Sequence, residues 1–209
     1  MANADMNRLI DHARIRLPGS LDAGIQMELF SAMDEFFQRS GVWHEDIEFA
    51  VTPATGSPAV NPEDFTYEVI PSVGSVVRLV GIADSDGASV RATMEVPGEI
   101  VLAYSPNVAD TYKARVVLTV TDPVTSEGYP QFPDWIMTKY RDVFLEGVIG
   151  RMMSQIAKPY SSTAGAQYHL RNFKRGVGQA KVEAQHANIF RGQNWSFPQT
   201  FSRRRNWSV

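Results

Sequence analysis

The chain has 209 residues, of which 44% are hydrophobic and 21% charged, and its formal net charge is −3. This composition predicts a globular protein that buries its own core, and no apolar run approaches the roughly 18 residues of a membrane span. The sequence contains no cysteine, which excludes disulfides, thiolate nucleophiles and cysteine-bound metals, and its first residues show no secretory signal pattern.

Charge is divided unevenly along the chain. Residues 1–165 contain 12 lysines and arginines against 22 aspartates and glutamates, whereas residues 166–209 contain 8 against 1. The net charges of the two parts are therefore −10 and +7. Such a split indicates an interaction segment at the basic end. A basic last helix that packs on the acidic body is the alternative explanation for the helical part of this segment.

Helical periodicity appears first near the N-terminus. Apolar residues spaced by three and four predict a helix over Asp22–Ser40. Ser20 or Asp22 would cap its start, and Gly41 would stop its end. A weaker helix is predicted over residues 6–16.

The helical period returns after residue 130. Pro133 suits the first turn of a helix that Lys158-Pro159 would end. Gly147 and Gly150 each lower helix propensity by about 1 kcal/mol, which predicts another backbone close to them. Ser161-Ser162 would cap a last helix that runs to about residue 189, with Tyr168 among its inward residues.

The middle of the chain alternates with the period of strands. Four or five antiparallel strands are predicted, over residues 65–69, 76–83, 88–96, 99–105 and 112–121. Residues 84–87 and Pro97-Gly98 supply turns between them, and residues 52–64 form an exposed loop. The fold class predicted is α+β. Residues 1–46 and 130–191 form a helical bundle, residues 47–129 an inserted antiparallel β domain, and residues 192–209 an extended C-terminal tail.

The sequence contains no recognisable metal-binding, nucleotide-binding or catalytic motif. The four histidines, His12, His44, His169 and His186, lack metal-ligand spacing, and no nucleotide-binding or nucleophile motif occurs. We therefore expect no enzyme activity, no cofactor and no metal site.

Two acidic clusters are considered as a calcium-binding loop and as a pair of catalytic carboxylates. Asp84 and Asp86, with Gly87, would place the glycine at position four of a calcium loop instead of six, so a hairpin turn is preferred. Residues 45–48 contain Glu45, Asp46 and Glu48, which could be imagined as glycosidase carboxylates. A solvated loop or strand edge is preferred for them.

The last residues of the chain have no helical or strand period but are rich in aromatic and basic side chains. Ordering each residue costs about 1–2 kcal/mol, and four buried aromatics return only about 1.5–3 kcal/mol each. The segment is therefore expected to become ordered on a partner. Its candidate partner-binding residues are Phe190, Trp195, Phe197, Phe201, Arg203, Arg204, Arg205 and Trp207.

Two helical stretches carry a family resemblance. Residues 21–43, LDAGIQMELFSAMDEFFQRSGVW, and residues 132–161, FPDWIMTKYRDVFLEGVIGRMMSQIAKPYS, resemble the podophage head-to-tail adaptor proteins, the group that includes tail tubular protein A. The resemblance implies a structural virion protein at the head–tail junction, assembled in the host cytoplasm. It implies a dodecameric ring that binds the portal protein through its C-terminal arm and the tail nozzle or tail tube on its other face.

The same resemblance implies that double-stranded DNA passes through the ring. An acidic lumen would keep that DNA from sticking. Two alternatives stay open: another virion component such as a tail tube or terminator protein, and a nucleic-acid-binding module that uses Arg203–Arg205 and Trp207. The acidic composition argues against the nucleic-acid alternative, because a protein that binds a duplex usually carries a basic face on its folded body as well.

Overall fold

The computed structural model describes residues 2–53, 65–104, 106, 108–121 and 131–189. Over these residues the chain forms helices and antiparallel strands, which confirms the predicted α+β class. The helices are α1 (Ala2–Arg16), α2 (Asp22–Ser40), α3 (Asp134–Met153) and α4 (Thr163–Ile189). The strands are β1 (His44–Val51), β2 (Thr66–Glu68), β3 (Ser75–Ala83), β4 (Ser89–Val90), β5 (Ala92–Thr93), β6 (Glu99–Leu102) and β7 (Asp110–Thr119).

Helices α2, α3 and α4 pack side by side with alternating direction. Phe36 in the second half of α2 packs against Tyr140 in the first half of α3, with 5.0 Å between ring centroids. Gly150, near the end of α3, lies beside the early part of α4, where a Cβ on this glycine would come within 2.9 Å of the Leu170 backbone nitrogen. The predicted close backbone is thus confirmed at Gly150, whereas Gly147 faces side chains instead.

The ends of α2 show one correct and one wrong prediction. Gly41 adopts a left-handed conformation, with φ of 63°, and its N–H donates to the Phe37 carbonyl at 3.0 Å, so the predicted stop is confirmed. The predicted N-cap is wrong, because Leu21 occupies that position. Ser20 instead donates its hydroxyl to the Leu17 carbonyl at 2.7 Å.

The junction between α3 and α4 also differs from the prediction. α3 ends at Met153, before the Lys158-Pro159 pair that was expected to stop it. Ala157 has a φ of 59°, a left-handed conformation that an α-helix cannot continue through. The predicted capping role is confirmed at Ser162, whose hydroxyl accepts the Gly165 N–H at 3.1 Å.

The strands form two antiparallel sheets. Sheet A has the order β1-β7-β3-β4 and sheet B the order β2-β6-β5. The predicted strand over residues 88–96 is divided into β4 and β5, which belong to different sheets. β1 was not among the predicted strands. It lies at an edge of sheet A, starts at His44 and pairs with β7 along its whole length.

Aromatic side chains join the bundle to the sheet. Phe37 of α2 lies 5.3 Å from the Trp43 ring and 5.6 Å from the Phe132 ring, between centroids, and all three side chains are buried. Val76 of β3 and Leu118 of β7 belong to the same continuous core as these rings. Because of this shared core, the start of α3 and the end of α2 lie at the sheet end of the bundle.

Candidate partner-binding surfaces

The C-terminal arm lies outside the described residues. This applies to every side chain singled out there: Phe190, Trp195, Phe197, Phe201, Arg203, Arg204, Arg205 and Trp207. Their role in partner binding therefore stays a prediction. The surfaces below belong to the folded body, from which the arm continues after α4.

Two of the three acidic residues of the cluster on β1 are paired with cations. The Asp46 carboxylate accepts two hydrogen bonds from the Arg115 guanidinium, at 2.6 and 2.7 Å, and Glu48 lies 3.0 Å from the Lys113 ammonium. Hydrogen bonding to Arg115 lowers the pKa of the Asp46 carboxyl below its ordinary value. A glycosidase acid would need a raised pKa, so this geometry does not support the glycosidase alternative.

The second acidic cluster forms the predicted hairpin turn. Asp84 accepts the Gly87 N–H on its carbonyl at 3.0 Å and the Ala88 N–H on its carboxylate at 2.7 Å. The described residues contain no group of three or more His, Cys, Asp or Glu side chains that could hold a metal ion. Among the same residues, no helix is long and apolar enough to cross a bilayer.

The outward face of α4 is basic. Arg171, Lys174, Arg175 and Lys181 are all exposed, and in the part of the chain that the structure describes none of them forms an ion pair. α4 thus packs on the body, as that alternative expected, but it does so through apolar residues such as Phe173 and Val177 and leaves these four cations on the surface. Tyr168, expected on the inward side, is 63% exposed and borders the basic face.

A groove opens where the end of α4 meets sheet A. Its volume is about 320 Å³, and Lys181 from α4 and Arg78 from β3 lie on its two walls. His44 and Arg115 also line it. Arg115 is already paired with Asp46, so the lysine and arginine side chains of the groove without an acidic partner among the described residues are Arg78 and Lys181. The groove continues the basic face of α4 onto the sheet.

An aromatic groove lies at the sheet end of the bundle. It has a volume of about 530 Å³, and the rings of Trp43, Phe132 and Trp135 line it together with Val73. Trp43 and Phe132 are buried, whereas Trp135, in the first turn of α3, is 51% exposed. An exposed tryptophan at the rim of an apolar groove is typical of a protein-binding surface.

The opposite end of the bundle exposes aliphatic side chains. Ile15 is 80% exposed, Leu21 77% and Ile156 91%. They flank the α1–α2 and α3–α4 turns, which lie together because a Cβ on Gly19 would be 3.6 Å from the Pro159 ring. This second surface, the aliphatic end, is separated from the aromatic groove by the length of α3, roughly 30 Å for 20 residues.

The charge split of the sequence indicated an interaction segment that includes α4, but neither the position of the basic face nor the two apolar surfaces was predicted. The basic face could have been found, because Arg171, Lys174, Arg175 and Lys181 recur at helical spacing. The aromatic groove could not, since it combines residues that follow α2, residues at the start of α3 and the segment before β3. The sequence matches no protein-family model and no curated protein.

Proposed function

We propose that the chain is a structural virion protein whose copies form a ring-shaped head-to-tail adaptor. In this proposal the ring binds the portal protein through the C-terminal arm and the tail nozzle or tail tube on its other side. The observation that carries it is the pair of apolar surfaces, the aromatic groove and the aliphatic end, at opposite ends of one helical bundle. A protein that joins two neighbours along an axis needs contact surfaces of this kind at both ends.

The direction of α4 supports an assignment of the two ends of the bundle to the portal and to the tail. Lys181, Ala184 and Gln185 line a groove together with sheet residues, so α4 approaches its C-terminus at the sheet end of the bundle. The arm therefore starts from the same end as the aromatic groove. We assign the sheet end to the portal and the aliphatic end to the tail. Several arms that act on one portal ring would also bind with avidity that a single arm lacks.

The test uses the full-length chain and a version truncated after Arg191, each mixed with the portal protein encoded in the same genome. Class averages from negative-stain images would show whether an extra tier forms on the portal ring. We expect the full-length chain to add that tier and the truncated chain to lose it.

Two other outcomes have distinct meanings. If both versions add the tier, the body makes the joint and the arm has a lesser role. If neither version binds the portal, the adaptor proposal is wrong for this partner, and the tail tube or terminator alternative becomes the better one. Circular dichroism of both versions would serve as the control for folding.

A further inference from the structure

The basic face of α4 occupies the middle part of the helix. At 1.5 Å per residue, Arg171 and Lys181 are separated by about 15 Å along the axis. At 3.6 residues per turn, the exposed residues that form this face lie within about 140° of the helix circumference. These residues are Gln167, Tyr168, Arg171, Lys174, Arg175, Gly178, Lys181, Val182 and Gln185.

No acidic side chain lies within this arc of α4 between residues 167 and 185. The single acidic residue of the helix, Glu183, points toward α3, where it accepts the Tyr140 hydroxyl at 2.8 Å and pairs with Lys139 at 2.6 Å. The positive charge of the face is therefore not neutralised by its own helix. The remainder of the chain up to residue 165 has a net charge of −10, so the face is a local reversal of charge.

Arg78 extends the face across the groove. Its guanidinium lies so close to Gly41 that a Cβ there would come within 2.6 Å of it. One role of Arg78 is thus to place a cation at the C-terminus of α2, where the helix dipole favours it. Because Arg78 lines the groove and has no acidic partner among the described residues, it is also available to an anion that enters the groove.

The chemistry of the face favours a polyanion over a folded protein. Protein–protein interfaces have an apolar centre and are depleted in lysine, whereas the large apolar side chains exposed on this face are only Tyr168 and Val182. Interfaces with DNA are more polar and more positively charged. Arginine, lysine, glutamine and tyrosine side chains are also the usual donors to phosphate oxygens.

We propose that the exposed face of α4, continued by Arg78, binds the phosphodiester backbone of double-stranded DNA without sequence preference. The binding site is distinct from the arginines of the C-terminal arm. It does not depend on ring formation, since one copy of the chain presents the whole face.

The experiment measures fluorescence anisotropy of a labelled duplex of about 20 base pairs, titrated with the full-length chain from about 50 mM salt upward. The triple variant R171Q/R175Q/K181Q removes three charges from the face. The matched control R16Q/R91Q/K158Q removes three exposed charges elsewhere and leaves the same net charge. A third variant, R203Q/R204Q/R205Q, removes the charges of the arm.

We expect the first variant to bind DNA about tenfold more weakly. It should also lower the dependence of log K on log salt by about 0.9 for each phosphate that the protein no longer neutralises. The matched control and the arm variant should stay close to the unmodified chain. An equal loss of affinity in the matched control would overturn the proposal, as would a loss confined to the arm variant or the absence of DNA binding at low salt.

A labelled poly-glutamate peptide distinguishes DNA from an acidic protein partner. If the peptide binds as tightly as the duplex and is released by the same triple variant, the face serves an acidic protein surface and the DNA proposal is wrong. The portal experiment is a separate readout. Failure of DNA binding leaves the adaptor proposal intact, and failure of portal binding leaves this one intact.

Discussion

Gly147 of α3 and Phe173 of α4 touch so closely that a Cβ on the glycine would come within 2.8 Å of the phenyl ring. The same Cβ would lie 3.0 Å from the Cβ of Ala32 in α2. Both neighbours are buried, so neither can move aside freely. The absence of a side chain at Gly147 is what lets α2, α3 and α4 meet at this level.

Gly147→Ala should destabilise the protein even though alanine is the better helix former. The gain in propensity is about 1 kcal/mol, while overpacking of a filled core costs typically about 1–3 kcal/mol. Gly178→Ala is the matched control, because Gly178 lies on the exposed face of α4 with nothing within 4 Å of its would-be Cβ. Urea unfolding should show a loss of stability for Gly147→Ala and a small gain for Gly178→Ala. A gain for both would show that the core opens easily at Gly147.

The helices could be predicted from the sequence because their signals are local. The period of Ile25, Leu29, Met33 and Phe36 defines α2, and Gly41 ends it through its own left-handed backbone. The start of α2 was predicted less well than its end. Asp22, an expected cap, instead accepts a 2.9 Å hydrogen bond from Arg14 of α1, and a contact between two helices leaves no local pattern.

β1 illustrates why a strand can be missed when only the sequence is considered. Charges alternate with Ile47, Phe49 and Val51, and the sequence left open whether these charges belong to a loop or to a strand edge. In the structure those charges face partners that are distant in the sequence, since Asp46 pairs with Arg115 and Glu48 with Lys113 of β7. The surfaces of the body likewise combine residues that are distant in the sequence. The arm could be recognised because its aromatic and basic residues are close together in the sequence.

The Asp46–Arg115 pair predicts a measurable pH dependence. Hydrogen bonds from Arg115 lower the pKa of Asp46 in the folded chain, so the ionised form is favoured by folding. The pair therefore stabilises the protein above the ordinary aspartate pKa of about 3.9, and this stabilisation is lost as the pH falls through the lowered value. Because both side chains are partly exposed, we expect at most about 1 kcal/mol.

Asp46→Asn tests this dependence directly. At pH 7 the variant should be less stable than the unmodified chain by up to about 1 kcal/mol, and the difference should shrink as the pH is lowered below about 4. Thermal unfolding at several pH values would measure it. A difference that stays constant down to the lowest pH at which the chain folds would mean that packing, and not ionisation, explains the effect.

Truncation after Arg191 should leave the stability of the isolated chain unchanged within about 0.5 kcal/mol. The reason is that the buried residues of α4 pack on the described body: Phe173, Val177 and Ala180 share one continuous core with α3 and its neighbours. Phe173→Ala provides the contrast, since removal of a buried phenyl ring costs about 3–5 kcal/mol. A large loss of stability on truncation would show that the arm folds onto its own body, against the expectation that it binds a partner.

The two apolar surfaces should respond separately to substitution. Trp135→Ser removes the exposed ring of the aromatic groove, and Ile156→Ser removes a side chain that is 91% exposed at the aliphatic end. If the sheet end faces the portal, Trp135→Ser should weaken portal binding by about tenfold, which corresponds to the loss of an aromatic anchor of about 1.4 kcal/mol or more. Ile156→Ser should leave portal binding unchanged and weaken binding of the tail component. Surface plasmon resonance with immobilised portal and tail rings would measure both, with melting temperatures as the control for folding. The reverse pattern would invert the assigned orientation, and equal loss for both partners would show that the surfaces mediate contacts between copies of the chain.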